Sequence, residues 1–390
     1  MIRLFKRLIR AFQIRLARIV AKPSIVFESV PDFADNTFAV YDEMRKRDFE
    51  KNYYLIWKTQ KRTKKDQVLY AIAQKNGSYY YWDPLDANNF RQDRLSYGFS
   101  EKRVLDICCN DFLTKSENNE PVVFLNHGGT LKSVRGYYEA PHYIDCLCAL
   151  SDYLIPSTAY TYNYPVEKVV SFGFPRNDIL LKSKKDIKPV FNLENEKIIA
   201  WLPTYRPNKT AGKKDSDTLL PVLSSEKELQ ELNEHAKNEN VFIVVKIHHA
   251  QNTQMIKQMK LSNIVFIDND FLNNNNLIVY ELLAKSDALL TDYSSVYYDY
   301  LLCDKPVGAV WEDIEAYKAN PGFAVDVDYV MKAAVKIYNL DELLRFISDV
   351  SAGNDILKAE RKEIREKVVQ YVDDQSSKRA VDYIVEKYNL

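Results

Sequence analysis

Short apolar runs that end in polar residues recur along most of the chain, separated by stretches with apolar residues at three- and four-residue steps. The first series comprises "SIVFES" (24–29), "YYLIW" (53–57), "QVLYAI" (67–72), "VVFLNH" (122–127), "DYLIPS" (152–157) and "KVVSFG" (168–173). The second comprises "IIAWLPT" (198–204), "VFIVVKIH" (241–248), "NIVFID" (263–268), "ALLTD" (288–292) and "PVGAV" (306–310). Near-continuous apolar strands alternating with helical spacers predict parallel sheets covered on both faces. The charged stretch "KSKKDIKPVFNLENEK" (182–197) separates the two series and reads as a linker. The expectation is an α/β protein of two facing Rossmann-like lobes, 23–185 and 195–390, closed by amphipathic C-terminal helices. "NNNN" (273–276) reads as a surface loop.

Residues 1–22, "MIRLFKRLIRAFQIRLARIVAK", break this pattern with seven Lys/Arg and no acid. Phe5, Leu8, Ile9, Phe12, Leu16, Ile19 and Val20 fall on one helical face, with Arg3, Lys6, Arg7 and Arg10 largely off it. Charge interrupts the segment too often for a membrane span, and it lacks the unbroken apolar centre of a secretory signal. The pattern fits an amphipathic helix lying on an anionic membrane surface; the bland alternative is a helix docked on the protein body. Composition adds little elsewhere. The 54 basic residues balance 54 acidic ones, so the whole molecule carries no bias towards nucleic acid. Five cysteines, with spacings unlike a zinc site, read as reduced thiols in a cytosolic protein.

In open α/β sheets ligands bind beyond the carboxyl ends of strands, so the polar residues closing the apolar runs carry the candidate chemistry. In "NHGGTLK" (126–132), His127 is placed to act as a general base, Gly128 allows close backbone approach to an anion, and Lys132 supplies charge. In "GFPRND" (173–178), Arg176 offers a planar fork for phosphate, or an ordinary salt bridge, and Asp178 reads as a cap for the following helix. Arg206 in "LPTYRP" (202–207) reaches a phosphate or lies in solvent. In "VVKIHHAQ" (244–251), Lys246 and His248 share one side of a strand and His249 points away. In "LLTDYSSVYYD" (289–299), Asp292, Ser294 and Ser295 stand at a strand-to-helix turn, as anion ligands or as caps. "DND" (268–270) and "DVD" (326–328) resemble chelating pairs but are common turn sequences, and no metal or other cofactor is expected. The P-loop, dinucleotide, H-E-x-x-H and G-x-S-x-G signatures are absent.

Taken in order, "HGGTLK", "GFPRND", "PTYR", "KIHH", "TDYSSVYYD" and "NPGFAVDVD" (320–328) resemble the CDP-glycerol glycerophosphotransferase family of teichoic-acid and capsule synthesis. The resemblance runs collinearly over about residues 24–330. It implies a GT-B-like fold with the donor mainly on the C-terminal lobe. The implied reaction transfers polyol phosphate from a CDP-polyol to a hydroxyl of a lipid-linked or polymeric glycan acceptor, releasing CMP. It also implies His127 as the base and His248 as stabiliser of the transferred phosphoryl group or departing CMP. Ser294, Ser295 and Asp292 would hold the pyrophosphate, with Arg206 and Lys246 as cationic support and Asp299 as a support or ribose contact. An enzyme of this kind is expected at the cytoplasmic face of the bacterial membrane, held there by residues 1–22. Gly129-Thr130 stands where the family has Thr-Pro, His249 replaces a Pro, and "YVMKAA" (329–334) replaces a p-G-p stretch. These departures bear on the donor more than on the chemistry. The competing readings are a GT-B glycosyltransferase using a nucleotide sugar and a non-catalytic membrane-bound binding protein.

Overall fold

The computed structural model describes residues 22–59, 79–82, 103–110, 120–204, 220–247 and 259–390. The basic helix expected at 1–22 and the run at 67–72 therefore lie outside the described residues. Among the described residues thirteen strands form two sheets, and every strand pair is parallel. The first contains β1 (Ser24–Glu28), β2 (Tyr54–Thr59), β3 (Tyr79–Trp82), β4 (Arg103–Cys108), β5 (Val122–Phe124), β6 (Cys146–Ala149) and β7 (Val169–Ser171), in the order β3-β2-β1-β4-β5-β6-β7. The second contains β8 (Lys197–Leu202), β9 (Val241–Lys246), β10 (Ile264–Ile267), β11 (Ala288–Thr291), β12 (Val307–Val310) and β13 (Val335–Ile337), in the order β10-β9-β8-β11-β12-β13. Both are doubly wound, so each lobe has a topological switch point: between β1 and β4, and between β8 and β11.

The central strands β1 and β11 are buried from end to end, as their apolar runs require: Ile25, Val26 and Phe27 in β1, and Leu289 and Leu290 in β11, have no solvent exposure. The strand expected at 152–157 is absent. Asp152–Leu154 is a 3-10 turn and Ile155–Thr161 an α-helix, with Pro156 in its first turn, where the missing N–H costs nothing. The strand of that unit is the preceding "CLCA" (β6), whose small and sulfur-bearing side chains mask it. The "NNNN" tract is exposed, but its first two residues close the helix Asn269–Asn274 instead of forming a loop.

The last helix, Ser376–Tyr388, returns to the first lobe. Arg379 Nε donates to Phe172 O (3.0 Å), Tyr388 Oη donates to Asp145 (2.7 Å), and Arg47 pairs with Asp382 (2.5 Å). Asp178 does not cap the helix it opens. Its carboxylate accepts the backbone N–H groups of Ser376 (2.8 Å) and Ser377 (2.9 Å) and so caps this returning helix. No helix among the described residues is long and apolar enough to cross a membrane.

Candidate active site

The C-terminal corner forms at the switch point of the second sheet. β8 and β11 are neighbours, and the chain leaves them at Thr204 and Asp292. Asp292, fully buried, accepts the backbone N–H of Thr204 (2.8 Å) on one carboxylate oxygen and the Thr204 hydroxyl on the other. It therefore clasps the two strand ends together. After it, Tyr293 sinks into an aromatic cluster with Tyr317 (4.2 Å between ring centroids) and Phe323, and its hydroxyl donates to Asp313. That anchoring leaves Ser294 and Ser295 half-buried at the surface of the corner. Ser295 occupies the N-cap position of the helix Val296–Tyr300, yet its side chain makes no capping hydrogen bond. Capping therefore does not account for its hydroxyl.

The N-terminal corner follows β5. Asn126 takes a left-handed backbone (φ 59°), which Asn tolerates better than most residues, and turns the chain so that His127 emerges exposed. Asn126 is itself pinned: Tyr162 Oη and the His127 N–H donate to its side-chain oxygen, and Asn36 Nδ2 donates to its carbonyl (2.8 Å). His127 Nδ1 lies 3.2 Å from the Cys109 carbonyl. A carbonyl only accepts, so Nδ1 carries the proton and the neutral ring has its basic lone pair on Nε2.

The two corners meet. A Cβ on Gly128 would collide with the Ser295 hydroxyl, and one on Gly129 would sit 2.7 Å from the buried Tyr298 ring. The glycine pair thus lets the histidine loop of one lobe lie directly against the serine corner of the other. Beyond it the loop is stitched to the second lobe through backbone bonds, Ala324 N to Leu131 O (3.0 Å) and Ser133 N to Gly322 O (3.1 Å). Lys132 Nζ reaches Thr204 Oγ1 (3.4 Å), bringing a cation to the residue that Asp292 clasps. The Gly129-Thr130 segment is thus the one against which the Tyr298 ring packs, and the ring's hydroxyl reaches Thr130 O (3.4 Å).

Arg176 turns inward. Nη1 donates to Asp35 (2.7 Å) and to the His127 carbonyl (2.6 Å), and Nη2 donates to Asp299 (2.9 Å). Asp299 has no exposure and also accepts from Asn177 (2.8 Å) and Tyr280 (2.6 Å). Burial works against the Arg176 charge, but the two carboxylates outweigh it and hold the guanidinium protonated. Lys246 ends β9 half-buried, and burial lowers its pKa. Arg206, His248 and His249 lie outside the described residues. The D-x-D pairs act as caps: Asp268 accepts from Phe271 N (2.8 Å) and Asp326 from Tyr329 N (3.1 Å). Burial pushes the Cys109 and Cys146 thiols up to about 12, so neither offers a thiolate nucleophile.

His127, Gly128, Lys132, Ser294 and Ser295 are therefore gathered at one seam, with Asp292, Arg176 and Asp299 directly behind it. Asp35, Asn36, Asn126, Thr204 and Tyr280 complete the assembly. Asn126 and Thr204 stand in motifs visible in sequence, "NHGGTLK" and "PTYR"; Asp35, Asn36 and Tyr280 are placed here by long-range contacts.

The sequence profile described as CDP-Glycerol:Poly(glycerophosphate) glycerophosphotransferase matches residues 10–386. The chain is 25% identical over 323 residues to a teichoic acid poly(glycerol phosphate) polymerase of Staphylococcus epidermidis, covering 78% of this chain and 42% of that protein. It is 25% identical over 337 residues to the polymerase of the same description from Bacillus spizizenii, covering 78% of each. A structure of the wall teichoic acid polymerase TagF superposes with a TM-score of 0.69 at 20% identity, over 100% of this chain and 97% of that one. A UDP-GlcNAc 2-epimerase from Neisseria meningitidis superposes with a TM-score of 0.54 at 14% identity, over 93% and 100%. These likenesses place the fold among GT-B-like proteins.

Proposed function

The chain belongs to the CDP-glycerol:poly(glycerophosphate) glycerophosphotransferase family, and from that premise we propose that it transfers a polyol phosphate from a CDP-polyol to an acceptor hydroxyl in teichoic-acid synthesis, releasing CMP. Glycerol phosphate is the first choice of transferred group and ribitol phosphate the second. The observation that carries this reading is the contact of the His127 loop with the Ser295 corner across the lobes. One corner supplies a base, and the other presents hydroxyls beside a strand switch point.

In this reading His127 Nε2 accepts the proton of the acceptor hydroxyl. The acceptor oxygen attacks the phosphorus that bears the polyol, and the bond from that phosphorus to CMP breaks. Ser294 and Ser295 hold the pyrophosphate, and Lys132 and Lys246 supply positive charge to meet the negative charge on the phosphoryl oxygens. Arg206 and His248 join them by the family pattern. Asp292 acts by fixing Thr204, which keeps a carboxylate from opposing the donor's own charge. The acceptor is a lipid-linked or growing polymer, and residues 1–22 bring the enzyme to the anionic inner face of the cell membrane where that polymer is made. Capsule polymers are a related destination.

The test incubates the full chain with CDP-glycerol or CDP-ribitol and a bacterial membrane extract as acceptor. Release of CMP with a new phosphodiester signal in phosphorus NMR supports the reading. A glycoside and a nucleoside diphosphate formed from a nucleotide sugar, with no CMP from either CDP-polyol, overturn it.

A further inference from the structure

One guanidinium touches both sides of the seam. Arg176 Nη1 holds the carbonyl of His127 itself, while Nη2 holds Asp299, which lies one helical turn beyond Ser295 on the helix Val296–Tyr300. Asp35, on the helix Asp35–Lys46, takes the remaining bond of Nη1, and the Arg176 backbone N–H donates to Asn36 Oδ1 (3.0 Å). Asn36 in turn donates to the carbonyl of Asn126, the residue before His127. The Tyr280 ring lies against the guanidinium (5.0 Å), and the Arg176 side chain is only 10% exposed.

We propose that Arg176 is a positioning residue, which sets the gap between the His127 imidazole and the serine corner by gripping both lobes with one rigid planar group. Phosphate contact is the alternative. Both Nη1 bonds are taken and Nε, which has no partner among the described residues, is itself buried, so a phosphate would have to displace Asp35 or Asp299 to engage the fork face-on and would leave a carboxylate uncompensated, a costly exchange. Lysine cannot substitute, because a single ammonium on a flexible stem does not span three acceptors in a plane. Asp299 and Asp35 are the two anchors of the device: the first carries the tie across the lobes, and the second braces it within the N-terminal lobe. Each side of the active seam thereby has its place fixed by the same five-donor fork.

The kinetic part of the test rests on the transferase reading. Arg176→Lys and Asp299→Asn are compared with the wild type at a temperature where circular dichroism shows each fully folded. A misplacement of about 1 Å costs roughly 100-fold in rate, so kcat for CMP release should fall by about that factor while KM for CDP-glycerol stays within about threefold. The second readout needs no turnover: ring-carbon NMR of histidine-labelled protein, with the His127 signal assigned by its loss in His127→Gln. That signal should shift in Arg176→Lys while the signal of His235, bonded to Leu344 O at 3.0 Å in the other lobe, stays in place. A tenfold or greater rise in KM with kcat retained would make Arg176 a donor contact and overturn the proposal. So would an unmoved His127 signal with kcat at the wild-type value. If the wild type itself releases no CMP, the transferase reading fails, and the NMR comparison alone decides the role of Arg176.

Discussion

Asp292 and Asp299 stand on one corner of the C-terminal lobe, both with no solvent exposure, and they do different work. Asp292 closes its own lobe by clasping Thr204 across the β8–β11 switch point. Asp299 reaches out of its lobe to Arg176 and Asn177. The difference follows from where each sits. Asp292 ends a strand whose neighbour's end lies beside it, whereas Asp299 faces outward from a helix that abuts the other lobe. Two carboxylates of one motif thus hold the serine corner from two sides, one clasping the strand ends beneath it and the other tying its helix to Arg176.

Asp299→Ala probes the side of this pair with the larger expected effect. It leaves the Arg176 charge facing only Asp35 inside the seam, and breaking a buried charge pair by removing one partner costs about 3–5 kcal/mol. Denaturant unfolding should show that loss; a change below about 1 kcal/mol would mean the cross-lobe tie contributes little. Asp292→Ala removes a hydrogen-bonded clasp between two strand ends, and the loss expected for leaving the Thr204 groups unsatisfied is about 1–3 kcal/mol. Were Asp292 the costlier of the two, the clasp within the lobe would outweigh the tie between the lobes. Gly129→Ala sharpens the picture on the facing loop. Its Cβ meets a buried Tyr298 ring at 2.7 Å, so overpacking of about 1–3 kcal/mol is expected, relieved by Tyr298→Leu in the same chain.

An effect of a different kind, on pH dependence, lies away from the seam. Burial pulls Lys336 down to about 7, with Asp328 opposing, while its ammonium sits over the Trp311 ring at 3.9 Å. Because the folded state binds fewer protons there than the unfolded chain, stability should rise with pH from about 7 towards the ordinary lysine range. Lys336→Met should flatten that rise in thermal melts across the same interval. An unchanged slope would show that the lysine remains charged.

The lobes were legible because their central strands are buried on both faces and read as unbroken apolar runs, as "VFIVVK" does in β9. β4 was not, because Arg103 and Asp106 pair along it and break the apolar run with charge. Nor was β13, "VKI", whose central Lys336 breaks any apolar run. Amphipathicity shows that Ser376–Tyr388 has an apolar face, but not that the face lies on the first lobe or that Asp178 caps its start. The site follows the same division. His127, Ser294 and Ser295 stand at strand ends and were visible as polar residues where a core run stops. The inward turn of Arg176 was not, since its partners Asp35 and Asp299 lie more than a hundred residues away in either direction. A fork suited to phosphate is equally suited to two carboxylates, and only the packed structure distinguishes them.

The central claim is a division of labour across the seam: the N-terminal loop performs proton transfer and the C-terminal corner holds the donor. Calorimetric binding of CDP-glycerol and single-turnover CMP release, measured together for His127→Ala and for the Ser294→Ala/Ser295→Ala double variant, test it most directly. The account predicts that His127→Ala binds donor as the wild type does but does not release CMP, while the double serine variant binds at least tenfold more weakly, as expected for lost hydrogen bonds to a charged group. Weakened donor binding in His127→Ala, with turnover restored at saturating donor, would contradict it.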